Sequence, residues 1–179
     1  MTSLNIRLAN ERDGETIREV HLKAFPESER QLVSTLALDL LREQTDPETY
    51  GFVAEHDGVI IGQVAFSPLS IAANEGWVGY ILAPLGILPQ WQGRGVGSRL
   101  VEHGINTLTA QGVHHLLVYG DPAYYGRFGF DTDAATRFVP PFDLEFPSGW
   151  QAMTLNPGKT ITSDSRIICV VPLRNPELW

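Results

Sequence analysis

Cysteine is all but missing from this chain. Cys169 is the only one in 179 residues, so no internal disulfide can form, as suits a reducing cytosol. Its setting, Ile167-Ile168-Cys169-Val170-Val171, reads as a strand, where a thiol packs as a small apolar residue instead of serving as a nucleophile. Long apolar runs are missing too. The longest are cut by Gly or Pro well short of the ~20 residues a membrane-spanning helix needs, which sets the expectation of a soluble, cytoplasmic protein with no membrane partner. The start, Met1-Thr2-Ser3-Leu4-Asn5-Ile6-Arg7, has no basic segment leading into an apolar one and reads as lacking a secretory signal. Cations are in deficit, with 13 Lys and Arg against 21 Asp and Glu and a formal charge of −8. That balance argues against sequence-independent nucleic-acid binding and suits a cationic small molecule. An anionic ligand would need a local device to overcome the global field. Metal spacing is also wanting: His21, His103, His114 and His115 have no partner Cys or carboxylate at ligand spacing, and no metal is assigned. In a strand His114 and His115 would face opposite sides.

What is present is an ordinary globular composition, 43% hydrophobic and 19% charged. A chain of this length buries roughly 70% of its unfolded surface on folding, enough for a core without staples. Residues 4–8 alternate as a strand; Ile17, Val20, His21 and Ala24 share one helical face, ended by Pro26. A second helix, with Ser28 as N-cap, carries Leu32, Leu36, Leu40 and Leu41. Residues 51–55 and 59–66 flank His56-Asp57-Gly58, a hairpin signal. Residues 77–88 form a long apolar strand interrupted by Pro84 and Gly86, so it cannot pair fully with a neighbour there. Residues 98–111 read as an amphipathic helix stopped by Gly112, and 113–119 as another strand. Asp121-Pro122 opens a short helix over 123–128, and the remainder is strand-like stretches between Pro- and Gly-rich turns. No repeat or low-complexity linker interrupts the chain, which reads as a single α+β domain over residues 1–179.

The informative unit is Gln92-Gly93-Arg94-Gly95-Val96-Gly97, between a strand and a helix. Three alternate glycines let the backbone turn sharply and present several N–H groups at the positive end of a helix dipole, which builds an anion site. A turn that merely needs left-handed glycines is the bland alternative. A Walker A loop does not fit, because Gly97 is followed by Ser98-Arg99 and not by Lys and a hydroxyl residue. A dinucleotide fingerprint fails as well, since its third glycine would fall at Leu100.

The segment Leu85-Gly86-Ile87-Leu88-Pro89-Gln90-Trp91-Gln92-Gly93-Arg94-Gly95-Val96-Gly97 resembles the acetyl-CoA motif of the GCN5-related N-acetyltransferases (GNAT). Tyr124-Tyr125-Gly126-Arg127-Phe128-Gly129-Phe130 resembles that family's tyrosine-bearing helix, and Gly120-Asp121-Pro122 with Pro157-Gly158 resembles a bacterial branch of predicted acetyltransferases. The likeness runs from Leu4 to about Leu173. It implies a mixed, mostly antiparallel sheet with a splayed strand pair, flanked by helices, and acetyl-CoA as co-substrate. It implies further that amides from Gln92, Gly93, Arg94, Gly95, Val96 and Gly97 meet the pyrophosphate, with Ser98 and Arg99 beside it. Leu85, Gly86 and Ile87 would meet the pantetheine and acetyl groups, an amide near Ile87 polarising the thioester carbonyl.

Acetyl transfer to an amine also needs a proton for the departing thiolate, and a tyrosine of pKa around 10 can protonate a thiol of pKa around 8.5. The family pattern places that tyrosine at Tyr125, with Tyr124 along the cofactor. No general base stands out: Glu27 and Glu29 lie where the acceptor site often forms, and either reads equally as a solvated loop charge. Three functions stay open: an N-acetyltransferase acting by direct transfer, a longer-chain acyltransferase, and a CoA-binding module without catalysis. A homodimer is compatible with the resemblance, with Trp150 and Trp179 as interface residues or as core.

Overall fold

The computed structural model describes residues 3–72, 74 and 76–179, with Trp77 and Val78 described by backbone alone. Met1 and Thr2 of the N-terminal reading lie outside the described residues. Among those described, eight strands and four helices run as β1 (Asn5–Leu8), α1 (Gly14–Ala24), α2 (Arg30–Arg42), β2 (Tyr50–His56), β3 (Val59–Ile71), β4 (Trp77–Ile87), α3 (Val96–Ala110), β5 (His115–Tyr119), α4 (Pro122–Tyr125), β6 (Phe138–Val139), β7 (Trp150–Thr154) and β8 (Ser165–Cys169). The strand order is β1-β2-β3-β4-β5-β7, with β8 on β3 and β6 on β8. Pairings β1/β2, β2/β3, β3/β8 and β5/β7 are antiparallel; β4/β5 and β6/β8 are parallel. This is the expected α+β class with a mostly antiparallel sheet. The β4/β5 ladder ends at Leu82 opposite Val118, just before Pro84, which has no N–H to contribute.

The chain forms two compact units, one comprising the residues up to Phe66 with Pro84–Gly104, the other Ser67–Ala83 with Ile105–Trp179. In the first, β2 and β3 are joined by Asp57 and Gly58 at φ 51 and 77, the pair of left-handed residues that a tight hairpin turn demands. Helix α1 packs against α2, and Ile17, Val20, Ala37, Val53 and Ile60 form a buried cluster. Arg7 braces this unit: its guanidinium lies 2.8 Å from Asp13 and 2.7 Å from Glu55. Its hydrogen bonds hold both carboxyls below their usual range. Ser28 is not the cap of α2, which begins at Arg30 without a side-chain cap. The Pro26 carbonyl accepts from both the Glu29 and Arg30 amides, at 3.0 and 2.9 Å, and so takes up donors a hydroxyl cap would have satisfied. In α3, Gly104 lies directly on the Phe66 ring.

In the second unit β5 pairs with β7 on one side and the start of β4 on the other. The end of β3 pairs with β8, Leu69 opposite Cys169. Cys169 is buried and its thiol is pushed up to about 12 by that burial, which makes it unreactive at neutral pH. Trp150 and Trp179 are core residues of this unit: both are buried, their rings meet at 5.8 Å, and their indole N–H groups donate to the Phe138 and Leu173 carbonyls.

Candidate active site

In the first unit, β4 leads through a short turn at Pro89–Trp91 into the glycine loop and then α3. Gly93 and Gly95 adopt φ 70 and 79, left-handed values that cost an L side chain about 1–2 kcal/mol. A Cβ at either would meet nothing within 4 Å. Glycine is therefore needed here for the backbone turn and not for packing space. The Arg99 amide donates to the Gly95 carbonyl at 3.1 Å, so the α-helical ladder starts there. The amides of Val96, Gly97 and Ser98 are the donors that every helix leaves without an internal partner at its start. They point out of α3 at the positive end of its dipole. The Gln92 amide, by contrast, donates to the Pro89 carbonyl at 3.3 Å, and its side-chain amide donates to the Ile87 carbonyl at 3.0 Å. Gln92 thus ties the loop to the end of β4. Arg94 is exposed, with its guanidinium 5.3 Å above the Trp91 ring.

Leu85, Gly86 and Ile87 form the end of β4 in the same unit. The Leu88 amide donates to the Ile61 carbonyl at 2.9 Å, which fixes the end of the strand to β3. Against Gly86 lies His21, fully buried on α1; a Cβ at position 86 would come 2.6 Å from its Nδ1. His21 Nε2 is 2.6 Å from Gln63 Oε1. Burial lowers its pKa to about 4, so the ring is neutral at physiological pH. By sequence periodicity His21 falls on the apolar stripe of α1, a position that points to no chemical role. A usable signal was Gln63, a polar residue inside the apolar run of β3.

Tyr124 and Tyr125 belong to the second unit, on α4. Asp121 caps that helix, accepting from the Ala123 amide at 2.9 Å, with Pro122 in the first turn. Helix α4 is a single turn, continued by a 3₁₀ turn at Gly126–Phe128 and closed by Gly129 at φ 99. Tyr125 rests on Gly120, where a Cβ would come 2.5 Å from its Cε2. It meets Phe130 edge-on at 5.8 Å and Tyr124 at 5.0 Å. Burial pushes its phenol well above the ordinary value. The group is protonated throughout the neutral range and so keeps an O–H to donate. Tyr124 carries the Arg127 guanidinium 4.6 Å above its ring.

Glu27 and Glu29 are exposed, and Glu27 pairs with Arg30 at 3.2 Å. His114 and His115 bond to the carbonyls of Asn156 and Lys159. Among the described residues no group of three His, Cys, Asp or Glu could hold a metal ion, and no helix is long and apolar enough to cross a membrane. A cavity of about 650 Å³ in the second unit has Phe138, Pro141, Phe142, Asp143, Trp150 and Arg166 in its wall; none of the cofactor-binding or catalytic residues expected from sequence lines it.

Residues 14–130 match the model of the Acetyltransferase (GNAT) family. The uncharacterized N-acetyltransferase YjhQ of Escherichia coli is 30% identical over 169 residues, 92% of this chain and 91% of that protein. A crystal structure of the GNAT family N-acetyltransferase YhbS from Escherichia coli, in complex with CoA, superposes with a TM-score of 0.75 at 29% identity, covering 87% of this chain and 83% of that one. A GNAT family acetyltransferase from Brucella melitensis, in complex with acetyl-CoA, gives 0.69 at 26% identity, covering 96% and 99%.

Proposed function

The chain belongs to the GNAT acetyltransferase family, and we propose that it transfers an acetyl group from acetyl-CoA to a primary amine by direct attack in a ternary complex. The left-handed glycines at 93 and 95, opening α3, carry this reading. With open space around Gly93 and Gly95, the reading assigns the Gly93, Arg94, Gly95, Val96 and Gly97 amides to the ligand, with Ser98 beside them. That donor set fits a diphosphate such as the one in CoA, the ligand held by the solved Escherichia coli relative.

Acetyl-CoA, when bound, supplies the activated acyl group. Residues 85–87 hold its arm, and an amide near Ile87 steadies the negative charge that develops on the carbonyl oxygen. Tyr125 gives its proton to the departing thiolate and is restored by the proton that the nitrogen sheds as the amide forms, with Tyr124 along the cofactor. The acceptor is a small cationic amine, drawn by the −8 charge and attacking in its neutral form. The reading carries with it a cytoplasmic enzyme working as one domain over residues 1–179, without nucleic acid, membrane or metal; a homodimer is compatible with it.

Direct attack predicts that acetyl-CoA leaves no mark on the protein. Intact-mass measurement after incubation with acetyl-CoA and no amine is expected to return the unmodified mass. An acetyl adduct on Cys169 or any other residue would contradict a ternary-complex route.

A further inference from the structure

His21 is fully buried, and its Nε2 sits 2.6 Å from Gln63 Oε1. A carboxamide oxygen only accepts, so Nε2 carries the proton and Nδ1 presents a bare lone pair. Gln63 is itself 2% exposed, which locks this arrangement, and Phe25 stacks on the ring at 5.8 Å. Nδ1 has no hydrogen-bond partner among the described residues. An interior acceptor left bare is costly, and a leucine would fill the same space without that cost. The lone pair is turned toward β4, where Gly86 alone makes room: a Cβ there would come 2.6 Å from Nδ1 and 2.7 Å from Cε1. The low pKa of about 4 keeps the ring an acceptor, not a cation, at neutral pH.

We infer that His21 is a further cofactor-binding residue, whose Nδ1 accepts a hydrogen bond from an amide N–H of the pantetheine arm lying along residues 85–87. The arm's secondary amides leave water when the cofactor seats, and their N–H groups then need acceptors. Gly86, having no side chain, lets the His21 ring come directly against the backbone of β4. This inference rests on the reading of residues 85–87 given above.

Protein labelled with ¹⁵N at histidine and glycine separates the two in one titration. CoA is compared with adenosine 3′-phosphate 5′-diphosphate, which keeps the diphosphate but not the arm. Both ligands are expected to move the Gly93 and Gly95 amides, and CoA alone to move the His21 Nδ1 resonance toward the hydrogen-bonded position. If CoA moves the glycines but leaves Nδ1 unmoved, or if the arm-free nucleotide moves Nδ1 equally, the His21 assignment is overturned and the loop assignment stands. If CoA leaves the glycines unmoved, both fall. His21→Leu is expected to weaken CoA binding about tenfold while sparing the arm-free nucleotide; an equal loss for both ligands would mark His21 as merely structural.

Discussion

Tyr125 packs on Gly120 and edge-on against Phe130, and its phenol is raised by burial. A raised acid keeps its proton as pH climbs through the ordinary value of ~10. The group is therefore present as a donor across the neutral and moderately alkaline range. The stability that goes with the shift is intact below pH ~10 and is lost only above it. Tyr125→Phe is expected to lower turnover about 100-fold with acetyl-CoA affinity unchanged. The wild-type rate should show no alkaline fall before pH ~10 on this residue's account. Unchanged turnover of the variant across pH, with a good acceptor, would remove Tyr125 as the acid. Gly95 makes the complementary case, since its φ of 79 with open space around it means that alanine strains the backbone without clashing. Gly95→Ala is expected to weaken CoA binding about tenfold while costing only about 1–2 kcal/mol of stability, checked by calorimetric titration and urea unfolding. These glycines were legible in the sequence because their role is local. His21 was not, because its meaning comes from Gln63 on β3 and Gly86 on β4, which the fold alone brings to it.

At the scale of elements, α3 links the loop to the sheet. Gly104 sits where a Cβ would run into the Phe66 ring, so the helix lies against β3 only because that position has no side chain. Gly104→Ala gains helix propensity but overpacks the contact; a net loss of about 1–3 kcal/mol is expected in urea unfolding, and a stabilised variant would contradict this packing. The hairpin at Asp57-Gly58, the loss of β4/β5 pairing before Pro84 and the Asp121-Pro122 helix start were all legible, because each depends on residues adjacent in sequence. The length of β3 was not. Its reading stopped at Phe66 before Ser67 and Pro68, yet the strand runs to Ile71, carried by pairing with β8 nearly a hundred residues on. Helix α4 is shorter than its expected span because the chain tightens into a 3₁₀ turn at Gly126.

For the whole molecule, the sign of the charge and the site pull in opposite directions. A chain at −8 repels an anionic cofactor at long range, and in the proposed reading the counterweight is local, the amides at the start of α3 with Arg94 in the loop. The same field favours a cationic acceptor, though composition says nothing of its shape. Family and fold were legible because the loop motif and the tyrosine helix each need particular residues in a fixed order. The acceptor was not, since the carboxylates singled out, Glu27 and Glu29, are solvated. Amine-dependent release of CoA is read most directly as free thiol formed from acetyl-CoA across pooled primary amines. The expected result is thiol release that needs both the protein and an amine, matched by acetylated amine and reduced in Gly95→Ala. CoA binding with no thiol release across the whole panel would contradict it and leave a cofactor-binding module in place of an enzyme.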